Sequence, residues 1–172
     1  SRERFLTGEE FARLGEALRQ AETDGLPWEH AAPQSKHGAK AENRRTKADP
    51  YAVAAIRLLI FTGARLREIL HARWSEVDFE NATWTIPKAR MKGRNPHVVY
   101  LSRQAVDIFI ALHTCAAGSK FVLPSRYDAN RCMSKATLNR VTQIVSERAK
   151  AAGLPLEPFT VHDLRRTGST LL

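Results

Sequence analysis

Cysteine is scarce in this chain, with only Cys115 and Cys132 among its 172 residues. Because neither belongs to a CxxC pair, the sequence argues against a disulfide-rich scaffold and against the common zinc motifs. We therefore expect two free thiols in a reducing compartment rather than a disulfide. Five of the six histidines are scattered without metal-ligand spacing, namely His30, His37, His71, His97 and His113. We accordingly expect neither a metal nor a cofactor.

Long apolar runs are also missing, since no stretch approaches the ~18–20 consecutive apolar residues of a membrane span. No secretory signal is visible at the start, which lacks a methionine, and we expect the chain to be part of a longer protein. Hydrophobic residues make up 43% of the sequence, enough for one domain with its own core.

Acidic residues are outnumbered, because 18 Asp and Glu stand against 27 Lys and Arg and give a net charge of +9. Such an excess favours a polyanionic partner, and nucleic acid is the first candidate. A soluble basic protein without such a partner would show the same charge. Charge alone does not decide between the two interpretations.

Local patterns predict a mainly helical domain. Thr7 with Glu10 forms a capping box, Pro50 suits a first helical turn, and Gly153 suits a helix end. Predicted helices cover about residues 8–22, 50–61, 66–74, 103–115 and 134–151, and a last helix begins near His162. We interpret Trp74, at the end of the third helix, as a core residue.

A β section lies between these helices, with strand-like composition in residues 83–86 and a returning strand in residues 97–101. The predicted fold class is therefore mainly α with a small antiparallel β-sheet (α+β). Residues 24–49 contain helix-breaking prolines and a run of basic residues, which predicts an extended basic loop. This loop is either a solvated linker or a clamp on a nucleic-acid backbone.

Two arginine motifs stand far apart in the sequence. The first, TGAR, ends at Arg65 and is followed by Glu68, and the second, HDLRR, begins at His162 and contains Arg165. The planar fork of arginine donates two hydrogen bonds to a phosphate and stays charged. Two arginines from separate segments can therefore hold one phosphate from two sides. Alone, the first motif is a short string that an ordinary surface arginine would also give, and the second is compatible with an ordinary amphipathic helix start.

The spacing within the motifs indicates how neighbouring groups can assist. His162 and Arg165 are three residues apart and share one helical face, so the histidine can exchange a proton with the phosphate. Glu68 follows Arg65 by three residues and can orient it. Lys92, in the predicted turn between the strands, can protonate a leaving oxygen, or it is a solvated hairpin tip.

Three segments together resemble the catalytic domain of tyrosine recombinases, the phage-type integrases. They are FTGARLREIL from residue 61, RMKGRNPHVV from residue 90 and TVHDLRRT from residue 160. The resemblance runs from about Phe5 to the end of the chain and implies the tyrosine recombinase catalytic-domain fold. It implies that Arg65 is the first catalytic arginine, with Glu68 as its acidic partner. Lys92 would be the general acid for the 5′-hydroxyl leaving group, and His162 with Arg165 the HxxR pair.

The family's nucleophilic tyrosine lies downstream of HxxR, as does a second His or Trp, and neither has a counterpart in this sequence. The three tyrosines, Tyr51, Tyr100 and Tyr127, do not match the nucleophile's place. We also expect these residues not to include the family's N-terminal core-binding domain. We therefore expect residues 1–172 to be an integrase catalytic domain, incomplete at its C-terminus, that does not cleave DNA alone.

The resemblance also implies a partner, double-stranded DNA. We expect the full-length protein to act as a tetramer on paired DNA sites and this chain to be monomeric. We expect the protein to work on the nucleoid DNA of a bacterial cytoplasm, without a membrane. Further DNA-binding residues are predicted by their charge and place, and for those between residues 135 and 150 a solvated helix face is the alternative. The predicted DNA-binding residues are Arg90, Arg94, Lys135, Arg140 and Arg166.

Other functions remain open at this point. A type IB topoisomerase-like enzyme shares the chemistry, and relaxation of supercoils without recombination would identify it. A DNA-binding relic without catalysis would lack the tyrosine in its complete form as well. An unrelated basic module that matches by chance would bind DNA equally well without Arg65 and Arg165.

Overall fold

The computed structural model describes residues 4–28, 38, 40, 43–91 and 95–165. Its helices are α1 (Gly8–Thr23), α2 (Pro50–Thr62), α3 (Leu66–Leu70), α4 (Arg103–Thr114) and α5 (Lys135–Ala151), and residues 161–165 are also helical. Its strands are β1 (Leu26–Pro27), β2 (Arg45–Thr46), β3 (Val77–Asp78), β4 (Thr83–Ile86) and β5 (His97–Tyr100). The predicted α+β class is confirmed. No helix in the described ranges is long and apolar enough to cross a membrane.

Short-range hydrogen bonds set the N-terminal ends of the helices. The Thr7 hydroxyl accepts the Glu10 N–H at 3.2 Å, and the Glu10 carboxylate accepts the Thr7 N–H at 3.1 Å. The carboxylate of Asp49 accepts the Tyr51 N–H at 2.9 Å ahead of α2. Serine caps begin α4 and α5 in the same way. Because such caps need only residues a few positions apart, the sequence predicts these helix starts well.

Helix α2 forms the centre of the core. It lies against α1, α4 and α5, so its apolar residues are covered on several sides. A helix that is apolar all round is stable only when it is buried in this way. The buried residues of α2 are Ala52, Val53, Ala54, Ala55, Ile56, Leu58 and Leu59. The C-terminal end of this buried helix leads directly into the first arginine motif.

The larger sheet is antiparallel, with strand order β3-β4-β5. Trp84 pairs with Val99 across β4 and β5, and both side chains are buried on the face that meets the helices. The Trp84 ring lies 6.3 Å from the ring of Phe109 on α4, centroid to centroid. The opposite face is open, as the 82% exposure of Tyr100 shows. The predicted strands β4 and β5 are confirmed, whereas the two-residue strand β3 was missed.

The predicted extended loop over residues 24–49 contains a short strand near each end. Leu26 pairs with Thr46 in a two-stranded antiparallel ladder of β1 and β2. Gly25 precedes this ladder with φ of 82°, and a Cβ there would lie 2.8 Å from the Thr46 carbonyl carbon. Only glycine fits so close a backbone approach. Residues 29–37, 39, 41 and 42, which include Lys36 of the basic run, lie outside the described residues.

Helix α3 is shorter than predicted. It ends at Leu70, and Trp74 instead begins a 3₁₀ turn that extends to Glu76. The helix stops because Arg73 is extended and forms an antiparallel bridge with Phe121, while the Trp74 N–H donates to the Lys120 carbonyl at 3.1 Å. Trp74 is partly buried against the core rather than enclosed by it.

Candidate active site

The first arginine motif is a tight turn between α2 and α3. Gly63 ends α2 with φ of 66°, the left-handed region that a residue with a Cβ adopts at a cost of about 1–2 kcal/mol. The Thr62 hydroxyl donates to the Leu58 carbonyl at 2.6 Å and accepts the Ala64 N–H at 3.3 Å. These bonds fix the turn, and Arg65 follows it as an exposed side chain at the start of α3.

Glu68 acts on the main chain of Arg65. Its carboxylate accepts the Arg65 N–H at 2.9 Å, and no ion pair between the two side chains occurs among the residues described. Glu68 therefore holds the backbone from which the Arg65 side chain projects and leaves the guanidinium unpaired by this carboxylate. Glu68 does contact Arg65, as the predicted pairing of these residues requires, but the contact is to the Arg65 main chain and not to its side chain.

The second motif is anchored by a reciprocal cap. The Thr160 N–H donates to the Asp163 carboxylate at 2.7 Å, and the Asp163 N–H donates to the Thr160 hydroxyl at 3.3 Å. Asp163 and the adjacent Leu164 are buried, which fixes the segment against the core. His162 is exposed and Arg165 is half-buried, three residues apart as predicted.

One hydrogen bond joins the two motifs. Arg165 Nε donates to the main-chain carbonyl of Gly63 at 3.1 Å across 102 residues of sequence. Among the described residues, the Arg165 guanidinium makes this hydrogen bond through Nε and no other to protein. Its two terminal nitrogens therefore remain able to bind a ligand. Because Gly63 lies two residues before Arg65, the bond brings the second arginine to the turn that carries the first.

A cleft of about 640 Å³ opens between α5 and the segment that carries the second motif. His162 and Arg165 line it together with Lys135, from the first turn of α5. Asn139 and Gln143 follow Lys135 at four-residue intervals on the same helix face and line it too. These two amides were not predicted, although their spacing from Lys135 could have indicated them. Arg140 is exposed on α5 and is not among the residues that line this cleft.

Arg90 lies inside the protein rather than on an open surface. Its Nη2 donates to the Glu76 carboxylate at 2.5 Å, where the two side chains are 21% and 7% exposed. Its Nη1 donates to the Glu68 carbonyl at 3.4 Å. The structure thus gives Arg90 an internal ion pair, which the sequence analysis did not foresee. Three other predicted residues, Lys92, Arg94 and Arg166, lie outside the described residues.

The surface beside α3 is strongly basic. His71 caps the C-terminal end of α3, and burial lowers its pKa, followed by the positive charges of Arg90, Arg67 and Arg73. Burial is the largest cause, and the arginine charges add to it. Arg67 and Arg73 thus add positive charge on this side of the molecule, which favours an anionic ligand.

None of the three tyrosines is placed with the arginines. The Tyr51 hydroxyl donates to the Cys115 carbonyl at 3.2 Å, near the start of α2, about 18 Å of helix away from Gly63. Tyr100 lies on β5, and Tyr127 lies beside Arg126 with 88% exposure. That this chain holds no nucleophile stays a prediction.

Comparison with protein families gives a match to the model described as the phage integrase family, over residues 38–172. The chain is 37% identical over 118 residues to prophage integrase IntZ of Escherichia coli strain K12, covering 69% of this chain and 27% of that protein. It is 35% identical over 113 residues to prophage integrase IntA of the same strain, covering 66% and 25%. The chain thus spans about a quarter of the length of these relatives.

Solved structures share the fold. The crystal structure of XerA recombinase matches with a TM-score of 0.67 and 16% identity, over 99% of this chain and 51% of that one. XerH recombinase bound to its difH substrate, in a pre-cleavage complex, matches with a TM-score of 0.65 and 19% identity, over 97% and 42%. A lambda integrase tetramer bound to a Holliday junction matches with a TM-score of 0.60 and 17% identity, over 99% and 41%.

Proposed function

Because the chain belongs to the phage integrase family, we propose that it is the catalytic domain of a site-specific DNA recombinase and that its two arginine motifs hold one DNA phosphate. The hydrogen bond from Arg165 Nε to the Gly63 carbonyl carries the proposal, since it joins the motifs. Two guanidinium groups from separate segments can then bind the non-bridging oxygens of the same phosphodiester. They stabilise the charge that develops there as the bond is exchanged.

For the complete protein we propose the reaction that membership of the family implies. A tyrosine hydroxyl loses its proton to a neighbouring base or water and attacks the phosphorus, a new P–O bond forms to the tyrosine, and the bond to the 5′ oxygen breaks. Lys92 gives a proton to that leaving oxygen, and His162 donates to, or exchanges a proton with, the phosphate held by Arg165. The resulting 3′-phosphotyrosyl link keeps the phosphoester energy. A 5′-hydroxyl of a second strand therefore replaces the tyrosine without any energy source.

The 172-residue chain itself binds duplex DNA without cutting it. In support of this, the Tyr51 hydroxyl donates to the Cys115 carbonyl, whereas Tyr100 lies exposed on β5 and Tyr127 lies exposed on a surface segment. We expect the chain to be monomeric and the complete protein to form a tetramer on paired DNA sites, on the nucleoid DNA of a bacterial cytoplasm. The tetramer of lambda integrase, which shares the fold, supports this assembly.

Fluorescence anisotropy with a labelled DNA duplex tests the phosphate site. Arg65→Ala and Arg165→Ala should each weaken binding about tenfold or more, because each removes a charged hydrogen-bond donor to the phosphate. Arg103→Ala is the matched control, since Arg103 is an exposed arginine at the start of α4. Equal affinities for all three variants and the unchanged chain would show that the arginine motifs do not form a phosphate site.

A nicked duplex that traps covalent intermediates tests the chemistry separately. After incubation with this chain, a denaturing gel should show no protein–DNA adduct. The complete protein should give an adduct that depends on Arg65 and Arg165. An adduct formed by the 172-residue chain would overturn the proposal that it lacks the nucleophile.

A further inference from the structure

One oxygen of the Glu76 carboxylate accepts three hydrogen bonds. Its Oε1 accepts from Arg90 Nη2 at 2.5 Å, from Trp84 Nε1 at 3.3 Å and from the Arg73 N–H at 3.1 Å. The Glu76 side chain is only 7% exposed. Breaking such a buried pair leaves an uncompensated charge, which makes the contact between Glu76 and Arg90 a strong constraint on the chain around them.

Arg90 occupies a particular place in the hairpin. It ends the 3₁₀ turn Lys88–Arg90, directly after β4 and before the connection to β5. This connection contains Lys92 and Arg94. The Arg90 guanidinium bonds to Glu76 and Glu68 through its two terminal nitrogens, and its Nε is shielded from solvent.

A continuous set of contacts runs from the hairpin to the first arginine motif. Arg90 Nη1 donates to the Glu68 carbonyl at 3.4 Å. The carboxylate of the same Glu68 accepts the Arg65 N–H at 2.9 Å. Arg90 therefore bridges two elements that carry proposed phosphate-binding groups, the hairpin on one side and α3 on the other.

We propose that Arg90, held by Glu76, is a positioning residue that fixes the base of the β4–β5 hairpin against α3 and thereby sets where the hairpin cations meet DNA. This inference rests on the proposed function and replaces the expectation that Arg90 contacts DNA itself. Lysine at this position cannot reproduce the bridge, because an ammonium does not present the planar fork that reaches both Glu76 and the Glu68 carbonyl.

Hydrogen exchange measured by mass spectrometry tests the clamp without DNA. In Arg90→Gln, peptides that cover residues 88–97 should exchange on the order of tenfold faster, while peptides from α2 and α4 stay unchanged. The double variant Glu76→Gln/Arg90→Gln avoids a buried unpaired carboxylate and should show the same local effect. Arg103→Gln removes an exposed arginine and should change nothing. Unchanged exchange at residues 88–97 in both Arg90 variants would overturn the inference.

A double-mutant cycle on duplex binding separates positioning from direct contact. Arg90→Gln should weaken binding in the unchanged chain, yet have little further effect once Lys92→Ala and Arg94→Ala have removed the hairpin cations. Arg90→Lys should restore little of the lost affinity. If the losses simply add, Arg90 acts independently of the hairpin and the inference fails. If the unchanged chain does not bind DNA, the proposed function fails, and the exchange experiment still decides on the clamp.

Discussion

Arg165 Nε donates to the Gly63 main-chain carbonyl at 3.1 Å and so connects residues that lie 102 positions apart in the sequence. The acceptor is a main-chain oxygen, so replacing Gly63 by another residue does not remove the acceptor atom itself. The bond depends instead on the course of the backbone through the left-handed turn that ends α2. The geometry of the site therefore depends on backbone conformation as much as on the arginines.

The turn at Gly63 should be sensitive to any Cβ. Gly63→Ala is expected to destabilise the chain by about 1–2 kcal/mol, because φ is 66° although no atom lies within 4 Å of the added carbon. Urea unfolding followed by circular dichroism measures the change. Gly15→Ala is the matched control, since Gly15 lies within α1 with equally open space, and alanine should stabilise it by about 0.5–1 kcal/mol. Equal effects at both positions would contradict the backbone explanation.

The cleft face of α5 should bind DNA more strongly than its far end. Lys135→Ala should weaken duplex binding and reduce the slope of log affinity against log salt by about one, as expected for one lost phosphate contact. Lys150→Ala, an exposed lysine of the same helix outside the cleft lining, should leave the slope unchanged. Anisotropy titrations at several salt concentrations give both slopes. A common slope for the two variants would assign Lys135 to the solvated helix face instead.

The N-terminal cap should make stability depend on pH. Burial raises the pKa of Glu10, but hydrogen bonds from Arg4 and Thr7 outweigh it and hold that pKa below the usual 4.5. The unfolded chain therefore takes up this proton more readily. The contribution of Glu10 is complete above the unfolded pKa and is lost as pH falls through the folded pKa.

When the pH is lowered from about 5 to about 3, the free energy of unfolding of Glu10→Gln should accordingly fall by less than that of the unchanged chain. Urea midpoints measured across that range provide the comparison. Glu9→Gln is the control, because Glu9 lies in the same helical turn and its side chain is 86% exposed. If Glu9→Gln and Glu10→Gln flatten the pH dependence equally, the capping box is not its source.

Phe109 should be essential for holding the sheet on the helices. It is fully buried on α4, and its ring lies 6.3 Å from the Trp84 ring and 6.5 Å from the Trp74 ring. Phe109→Ala should cost about 3–5 kcal/mol by leaving a cavity between sheet and helix. Ile110→Ala, the next residue and 49% exposed, should cost much less. Thermal unfolding of the two variants measures the difference, and similar midpoints would show that this contact contributes little.

The helix starts were predictable because their determinants are local. Thr7 and Glu10, three positions apart, satisfy each other's main chain in the structure as the capping-box pattern indicates. The Gly63 turn and the helical spacing of His162 and Arg165 were also visible in the sequence. The end of α3 was not, because it depends on pairing of Arg73 with the distant Phe121. The short ladder between β1 and β2 depends on a similarly distant contact.

The sequence by itself determined where the helices begin, the order of the two arginine motifs and the excess of positive charge, since each depends on residue type and near-neighbour spacing. Only the tertiary structure decided which charges are available to a ligand. Arg165 reaches Gly63 and keeps its terminal nitrogens available, whereas Arg90, equally basic in the sequence, is paired with Glu76. The physical reason is that an arginine binds whichever acceptor the folded backbone brings within hydrogen-bond distance, and for these residues the acceptors lie 14 to 102 positions away.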